Sequence, residues 1–506
     1  MSTENNKRIA KNTILLYFRM LFTMTVSLYT SRIVLNTLGV SDFGIYNIVG
    51  GVVVLFSFLN NAMSSATQRF LNFEIGKNDF VQLRKIFCIS MNVHVSIAFI
   101  VFILAETIGL WFLNTQLNLP LDRMNAANWV YQFTILTFII SILQVPYNAT
   151  IIAHERMSFY AYVSIVEVSL KLSAVFLLQY LGYDKLKLYA VLICAVALII
   201  ITIYKLYCNK KFESSRYIFI WDASLYKQLL SFSGWSLFGS VANVGKTQVI
   251  NILINIFCGV LVNAAMGITN QVSATLNGFV SNFQLAFNPQ IVKSYAANDK
   301  EYLMSLIFKT SKYSYFLLFI LSLPILLNTE YILKLWLKIV PEYTVQFCQL
   351  TIIYLLIESI SGPLWMSVQA TGKIKSYQIV ISSLLLLNVP FSYILLKLNF
   401  IPYSVVLVSI GIGILALLIR IIFLRSLINL PIIQFLREVI LIIFIVTILS
   451  IPLPFIESFY LDGFRRLIIT STTAIISLVL ILYFIGLDIN EKKYVKIRIL
   501  ILINRN

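Results

Sequence analysis

Apolar stretches of about twenty residues or more, each able to cross roughly 30 Å of hydrocarbon as a helix, recur from one end of the 506-residue chain to the other. A backbone in lipid must satisfy its own N–H and C=O groups, and a helix does so within one segment. The expected fold class is therefore an all-α polytopic membrane protein. Composition agrees, with 59% hydrophobic and only 12% charged residues, about half the charged content of an ordinary soluble domain. The opening "MSTENNKRIAKN" leads into a span too long for a signal-peptide core and without a small-residue cleavage site, so the first helix is expected to stay in the protein.

Fourteen spans are expected, centred near residues 24, 54, 98, 137, 169, 195, 242, 275, 315, 357, 387, 414, 445 and 474. With the N-terminus inside, 27 of the 39 Lys and Arg residues fall in inner segments, eight in outer segments and four within spans. Under the positive-inside rule this asymmetry places both termini in the cytoplasm. The net charge of +18 thus reads as topology rather than as a nucleic-acid surface. The connecting segments are too short for a separate soluble domain.

The chain also repeats. Residues 38–79 align without gaps on 258–299 at an offset of 220, so that Gly39-Val40 meets Gly259-Val260 and Asn78-Asp79 meets Asn298-Asp299. A second pairing sets Pro146, Ala153 and Arg156 on Pro363, Ala370 and Lys373 at an offset of 217. Six spans separate each pair, as in transporters built from two parallel halves. The expected organisation is two parallel six-helix pseudo-repeats, 1–210 and 211–430, then two extra helices in 431–487 and a basic cytoplasmic tail, 488–506.

Inside the first repeated segment a polar or small face runs through Asn47, Gly50, Ser57, Asn61, Ser64 and Gln68 at helical spacing. Its counterparts are Gly267, Asn270, Asn277, Ser281, Gln284 and Asn288. Amides and hydroxyls at membrane depth face protein or water, so these stripes are candidates for a hydrated sugar path, with helix packing as the plainer reading and the one preferred for the two glycines. Charges within spans are costly and therefore informative. Glu167 and Lys171 stand four apart and invite an ion pair; either Glu167 or Glu358 could serve ion coupling. Arg19, Arg32 and Lys246 have no carboxylate three or four residues away within their helices and are candidates for holding an anion, Arg32 alternatively snorkelling to a membrane face.

Other chemistries find little support. "GSVANVGKT" (239–247) lacks the second glycine and the preceding strand of a phosphate-binding loop. Two isolated histidines and five scattered cysteines suggest neither metal nor redox chemistry, and no cofactor is expected.

Several stretches, "SRIVLNTLGVSDFGIYNIVGG", "NNAMSSATQRFLNFEIGKND", "IIAHERMSFYAYVSIVEV" and "VNAAMGITNQ" followed by "AFNPQIVKSYAANDK", resemble the bacterial polysaccharide exporters. These are the O-antigen flippases of the multidrug/oligosaccharidyl-lipid/polysaccharide exporter superfamily. The resemblance implies a two-lobed bundle in the bacterial inner membrane that carries an undecaprenyl-pyrophosphate-linked oligosaccharide to the outer leaflet. It also implies membrane lipids and other polysaccharide assembly proteins as partners, and no nucleic acid. Related lipid flippases place arginines in a cavity lined by helices 1, 2, 7 and 8; Arg19, Arg32 and Lys246 fall on helices 1 and 7 here, a correspondence by helix only. The alternatives are an ion-coupled multidrug antiporter of the same superfamily and a membrane-embedded glycosyltransferase or polymerase. An antiporter for cationic drugs is expected to rely on acidic residues, and a glycosyltransferase on a large outer loop with paired carboxylates.

Overall fold

The computed structural model describes residues 2–54, 57–115, 120–180, 184–337, 339–488 and 491–492. Among them, no strand occurs and twelve helices are long and apolar enough to cross a membrane. These twelve account for all but two of the expected spans. The remaining two, near residues 54 and 275, are the striped segments. Both are helical, the first through Val54 and again over Ser57–Lys77, the second running on to Ala296. The same polar side chains that mark the stripes keep the second of them from reading as apolar. Most of the tail, 493–506, and the side chains of Ser57 and Asn61 lie outside the described residues.

The backbone repeats as the sequence does. The helical run Ser2–Val54 breaks at Gly39 (φ 80°, ψ 167°), and the 74-residue run Ala223–Ala296 breaks at Gly259 (φ 82°, ψ 179°). That extended region with positive φ is open essentially only to glycine, which explains why the same residue stands at both positions. Two further pairs share a positive φ: Asn78 (57°) with Asn298 (56°), and Glu155 (56°) with Gly372 (74°). Each asparagine ends its helix in the same way. The N–H of Asp79 donates to the Glu74 carbonyl at 3.1 Å, and that of Asp299 to the Ser294 carbonyl at 3.0 Å. Pro146 and Pro363 sit inside corresponding helices, and the carbonyl of each accepts a hydroxyl from four residues on, Thr150 and Ser367, at 2.8 Å.

By packing, the chain forms two units. One comprises Met1–Val241, Leu285–Lys300 and Gly372–Gln378. In it Met124–Ala153 packs along Lys185–Lys211, and Ser2–Val54 along Met157–Tyr180. A core around Ala127, Val130, Tyr131 and Leu186 fills the contact, all of them fully buried. The other unit comprises Ala242–Gln284, Glu301–Thr371 and Ile379–Asn506. There Thr344–Thr371 packs along Ser404–Ile428, with Ile254, Ala265 and Phe347 in its core. The short segments 285–300 and 372–378 come from the second half of the sequence, yet pack in the first unit.

Gly39→Ala or Gly259→Ala is expected to destabilise the protein by about 1–3 kcal/mol, because a Cβ strains that backbone region. Thermal unfolding in detergent measures this, with Gly234→Ala, whose added Cβ meets open space, as the neutral control.

Candidate functional site

Each in-span carboxylate singled out from the sequence already has a cation beside it. Lys171 donates to Glu167 at 2.6 Å, with both side chains about one-third to two-fifths exposed. Glu358 is held at 3.0 Å by Arg420, which is 5% exposed and comes from the helix Ser404–Ile428. The spacing of the first pair makes it readable from sequence. The second joins residues 62 apart and is not.

The candidate cations differ among themselves. Lys246 is 6% exposed. Its ammonium lies 3.5 Å from the Tyr354 hydroxyl and 5.2 Å from that ring's centre, and it forms no salt bridge among the described residues. Arg19 rests on the Tyr160 ring, 4.6 Å from its centre, and reaches the Ser164 hydroxyl at 3.5 Å. Arg32 is exposed. Arg19 and Arg32 stand thirteen residues apart on one unbroken helix, about 20 Å at 1.5 Å per residue. One pyrophosphate cannot bridge that distance, so the two arginines do not form a joint clamp.

The stripes divide by depth. Asn47, Asn277 and Ser281 are exposed. Asn47 turns its amide back to the Phe43 carbonyl at 2.9 Å, and Asn277 approaches Ser273 at 3.5 Å. Asn270 is half-buried and faces Asn251 at 3.5 Å. Ser64 is half-buried. Gln284 packs tightly on Gly362, where an added Cβ would come within 2.1 Å of its nitrogen. At the far end, the Gln68 nitrogen and the Asn288 oxygen are each buried with no hydrogen-bond partner among the described residues. They occupy matching positions of the two repeats. Buried amide atoms without a protein partner are served by water or by a ligand. A Cβ at Gly50 or Gly267 meets nothing within 4 Å among the described residues, which corrects the expectation that these two glycines let helices approach closely.

Two ion clusters escaped the sequence reading because their members are far apart in the chain. On the face expected to be outside, Arg123 bonds both Asp42 and Asp184, the latter at 3.0 Å. Asp184 also caps the helix Lys185–Lys211 through the N–H groups of Leu186 and Lys187. Burial alone raises this carboxyl, but the Arg123 guanidinium and the two backbone N–H groups outweigh it and pull it below the usual aspartate range.

On the opposite face, the Glu155 carboxylate, with a side chain only 1% exposed, takes Lys293 at 2.5 Å, Arg8 at 2.6 Å and Gln290 at 2.7 Å. Burial lowers the Lys293 ammonium, with Glu155 opposing it, and burial pushes neighbouring His154 down to about 4. Gly76 lets its helix approach the Lys293 backbone; an added Cβ would meet the carbonyl at 2.7 Å. No spacing in the sequence marks either cluster, because their members come from separate segments of the chain.

The MatE family profile matches residues 226–394, about a third of the chain. No curated protein sequence matches it. Solved structures do. An outward-facing multidrug resistance MATE family transporter of the MOP superfamily superposes with a TM-score of 0.73 at 12% identity, over 84% of this chain and 96% of that one. A MATE protein in its bent conformation gives 0.69 at 14% identity, over 84% and 96%. A MOP superfamily transporter from Pyrococcus furiosus, described as having a binding pocket of reversed polarity that suggests a different function, gives 0.69 at 12%, again over 84% and 96%. The class is thus a multi-pass membrane protein with a transporter fold. The fold is the MATE fold, and the second repeat carries the MatE family pattern.

Asp184 contributes stability that is complete above the unfolded aspartate pKa near 4 and is lost as pH falls through its lower folded value. Thermal unfolding in detergent should therefore fall more steeply with acid below about pH 5 in the wild type than in Arg123→Gln, where that depression is removed.

Proposed function

We propose that this chain exports an amphiphilic substrate by alternating access of its two repeats, and that the cargo is an anionic, lipid-linked oligosaccharide of surface polysaccharide synthesis. Of the possible cargoes, the comparisons lend more support to an ion-coupled multidrug antiporter, since the solved neighbours are MATE proteins and one is described as a multidrug resistance transporter. At 12–14% identity those neighbours share a fold with this chain, and cargo has to be argued from its own residues.

The observation that carries the anionic reading is Lys246. A charge at the centre of a span costs about 2.5–3.5 kcal/mol on insertion scales, and Lys246 is buried beside the Tyr354 phenol, with no salt bridge among the described residues. The two in-span carboxylates singled out from the sequence, Glu167 and Glu358, are occupied by Lys171 and Arg420, while Glu106 accepts from the neutral Gln132 at 3.1 Å. A phosphate brought by the cargo supplies what Lys246 lacks; a cation would meet repulsion. The exposed amides Asn47 and Asn277, with Ser281, suit a sugar that exchanges water for hydrogen bonds, and the half-buried Gln68 and Asn288 suit a deeper station.

The Glu155 cluster supports the alternation. It ties the first-repeat loop and the N-terminal segment to Gln290 and Lys293 of the second repeat, at the end that the basic residues assign to the cytoplasm. Because Gln290 and Lys293 pack within the first unit, the carboxylate acts as a latch if the segment 285–300 parts from that unit when this end opens. The lobes 1–210 and 211–430 are the bodies proposed to move, with 431–487 outside the repeat.

Deletion of the gene in its own host tests the cargo. Accumulation of lipid-linked repeat units with loss of surface polysaccharide is expected; intact polysaccharide with new drug sensitivity would establish the antiporter instead. Lys246→Ala is expected to abolish export while the protein stays in the membrane, whereas Lys246→Arg retains part of it. For the latch, Glu155→Gln leaves Lys293 and Arg8 facing a neutral amide, and removing one partner of a buried pair costs about 3–5 kcal/mol. Labelling of a cysteine placed near Lys293 by a membrane-impermeant reagent from the cytoplasmic side should rise in that variant; unchanged labelling would contradict the latch.

A further inference from the structure

Beside the helices that lie outside the repeat, the chain turns sharply between two spans. Ser404–Ile428 ends on Asn429 in a left-handed conformation (φ 58°, ψ 43°), and Pro431 precedes the next helix. The turn edges a cavity of about 810 Å³ bordered by Arg425 and Arg437 together with Leu430, Ile432 and Ile433. A second cavity of about 400 Å³ shares Pro431, Gln434 and Glu438 with the first and extends to Lys309 and Lys312. The two make one groove on the face that the basic residues assign to the cytoplasm.

The charges along this groove fall into two groups. Lys309 is held by Glu491 at 3.0 Å and Asp488 at 3.8 Å, and Asp488 stands 4.0 Å from Lys312. The acidic residues just after the last helix thus neutralise the lysine end. At the other end Arg425 and Arg437 form no salt bridge among the described residues, and the nearby carboxylate Glu438 is engaged by Gln434 at 2.8 Å. Apolar side chains flank the arginines and point outward: Ile433 is 84% exposed and Leu436 40%. Guanidinium groups at a membrane face, beside exposed apolar side chains, match a headgroup that is anionic with its acyl chains still in the bilayer.

We infer that this groove binds an acidic phospholipid of the inner leaflet, its phosphate between Arg425 and Arg437 and its chains along Ile433 and Leu436. The lysine end, closed by Asp488 and Glu491, confines the headgroup to the arginine end. The arginines accept phosphate in two places, which a lysine cannot do. This site is separate from the cargo path proposed above and does not depend on what the cargo is.

Native mass spectrometry of the detergent-purified full chain, titrated with phosphatidylglycerol or with phosphatidylcholine of the same acyl chains, tests the site. The wild type is expected to retain phosphatidylglycerol preferentially. Loss of one charge-assisted contact should weaken that retention about tenfold in Arg425→Gln or Arg437→Gln, with phosphatidylcholine binding unchanged. Arg425→Lys/Arg437→Lys keeps the charge and should retain part of the preference. Inorganic phosphate as competitor should leave the lipid in place, since it lacks the chains. Equal retention of the two lipids by the wild type, unchanged preference in both glutamine variants, or displacement by phosphate alone would overturn the inference. An unfolded variant is recognised by loss of all lipid adducts together, and the wild-type comparison of the two lipids then decides the question.

Discussion

Hydrocarbon offers a charge nothing to bind, and the arrangement of this chain follows from how each buried charge finds a partner. Glu167 and Glu358 take Lys171 and Arg420. Arg123 takes two aspartates on one face, and Glu155 takes Lys293, Arg8 and Gln290 on the other. Lys246 departs from this pattern, with a phenol where a carboxylate would be expected. Lys246 meets a hydroxyl and forms no salt bridge among the described residues, and the proposed anionic cargo rests on that feature.

The same constraint explains the repeat. A span that must break and still satisfy its backbone does so where glycine permits an extended residue with positive φ, and both halves do this 220 residues apart, at Gly39 and Gly259. Asn78 and Asn298 close the following helices with matching bonds. Where the halves differ is instructive. The loop position that carries Glu155 in the first repeat carries Gly372 in the second, where Arg69 lies so close that an added Cβ would come within 2.8 Å of its guanidinium. One loop thus supplies a carboxylate to a lysine of the other repeat. Its counterpart makes room for an arginine, so the two ends of the pseudo-symmetric pair are held differently.

Much of the fold was legible because membrane helices write themselves as runs of apolar residues, and because glycine and asparagine mark breaks that few other residues tolerate. Twelve of the fourteen expected spans are apolar helices. Of the other two, the first passes through residues outside those described, and the second carries Asn270, Asn277 and Gln284, which identified it as unusual and for the same reason lower its hydropathy. The site was legible only in part. Spacing exposed the Glu167–Lys171 pair, whereas Glu358–Arg420, Arg123–Asp184 and Glu155–Lys293 join residues far apart in the chain and required the packed structure. Arg19 and Arg32, each a candidate for an anion, lie on one helix at points too far apart to hold a single pyrophosphate together.

The claim on which the account rests is that an anionic, lipid-linked sugar crosses the membrane through this protein. Reconstitution of the purified chain into liposomes, with a polyprenyl-pyrophosphate-linked oligosaccharide loaded on one leaflet, measures it directly by the lectin-accessible fraction on the other. The account predicts that the sugar becomes accessible with the wild-type protein and remains inaccessible with Lys246→Ala. A sugar that stays on its leaflet, while a proton or sodium gradient drives an organic cation across the same vesicles, would contradict it.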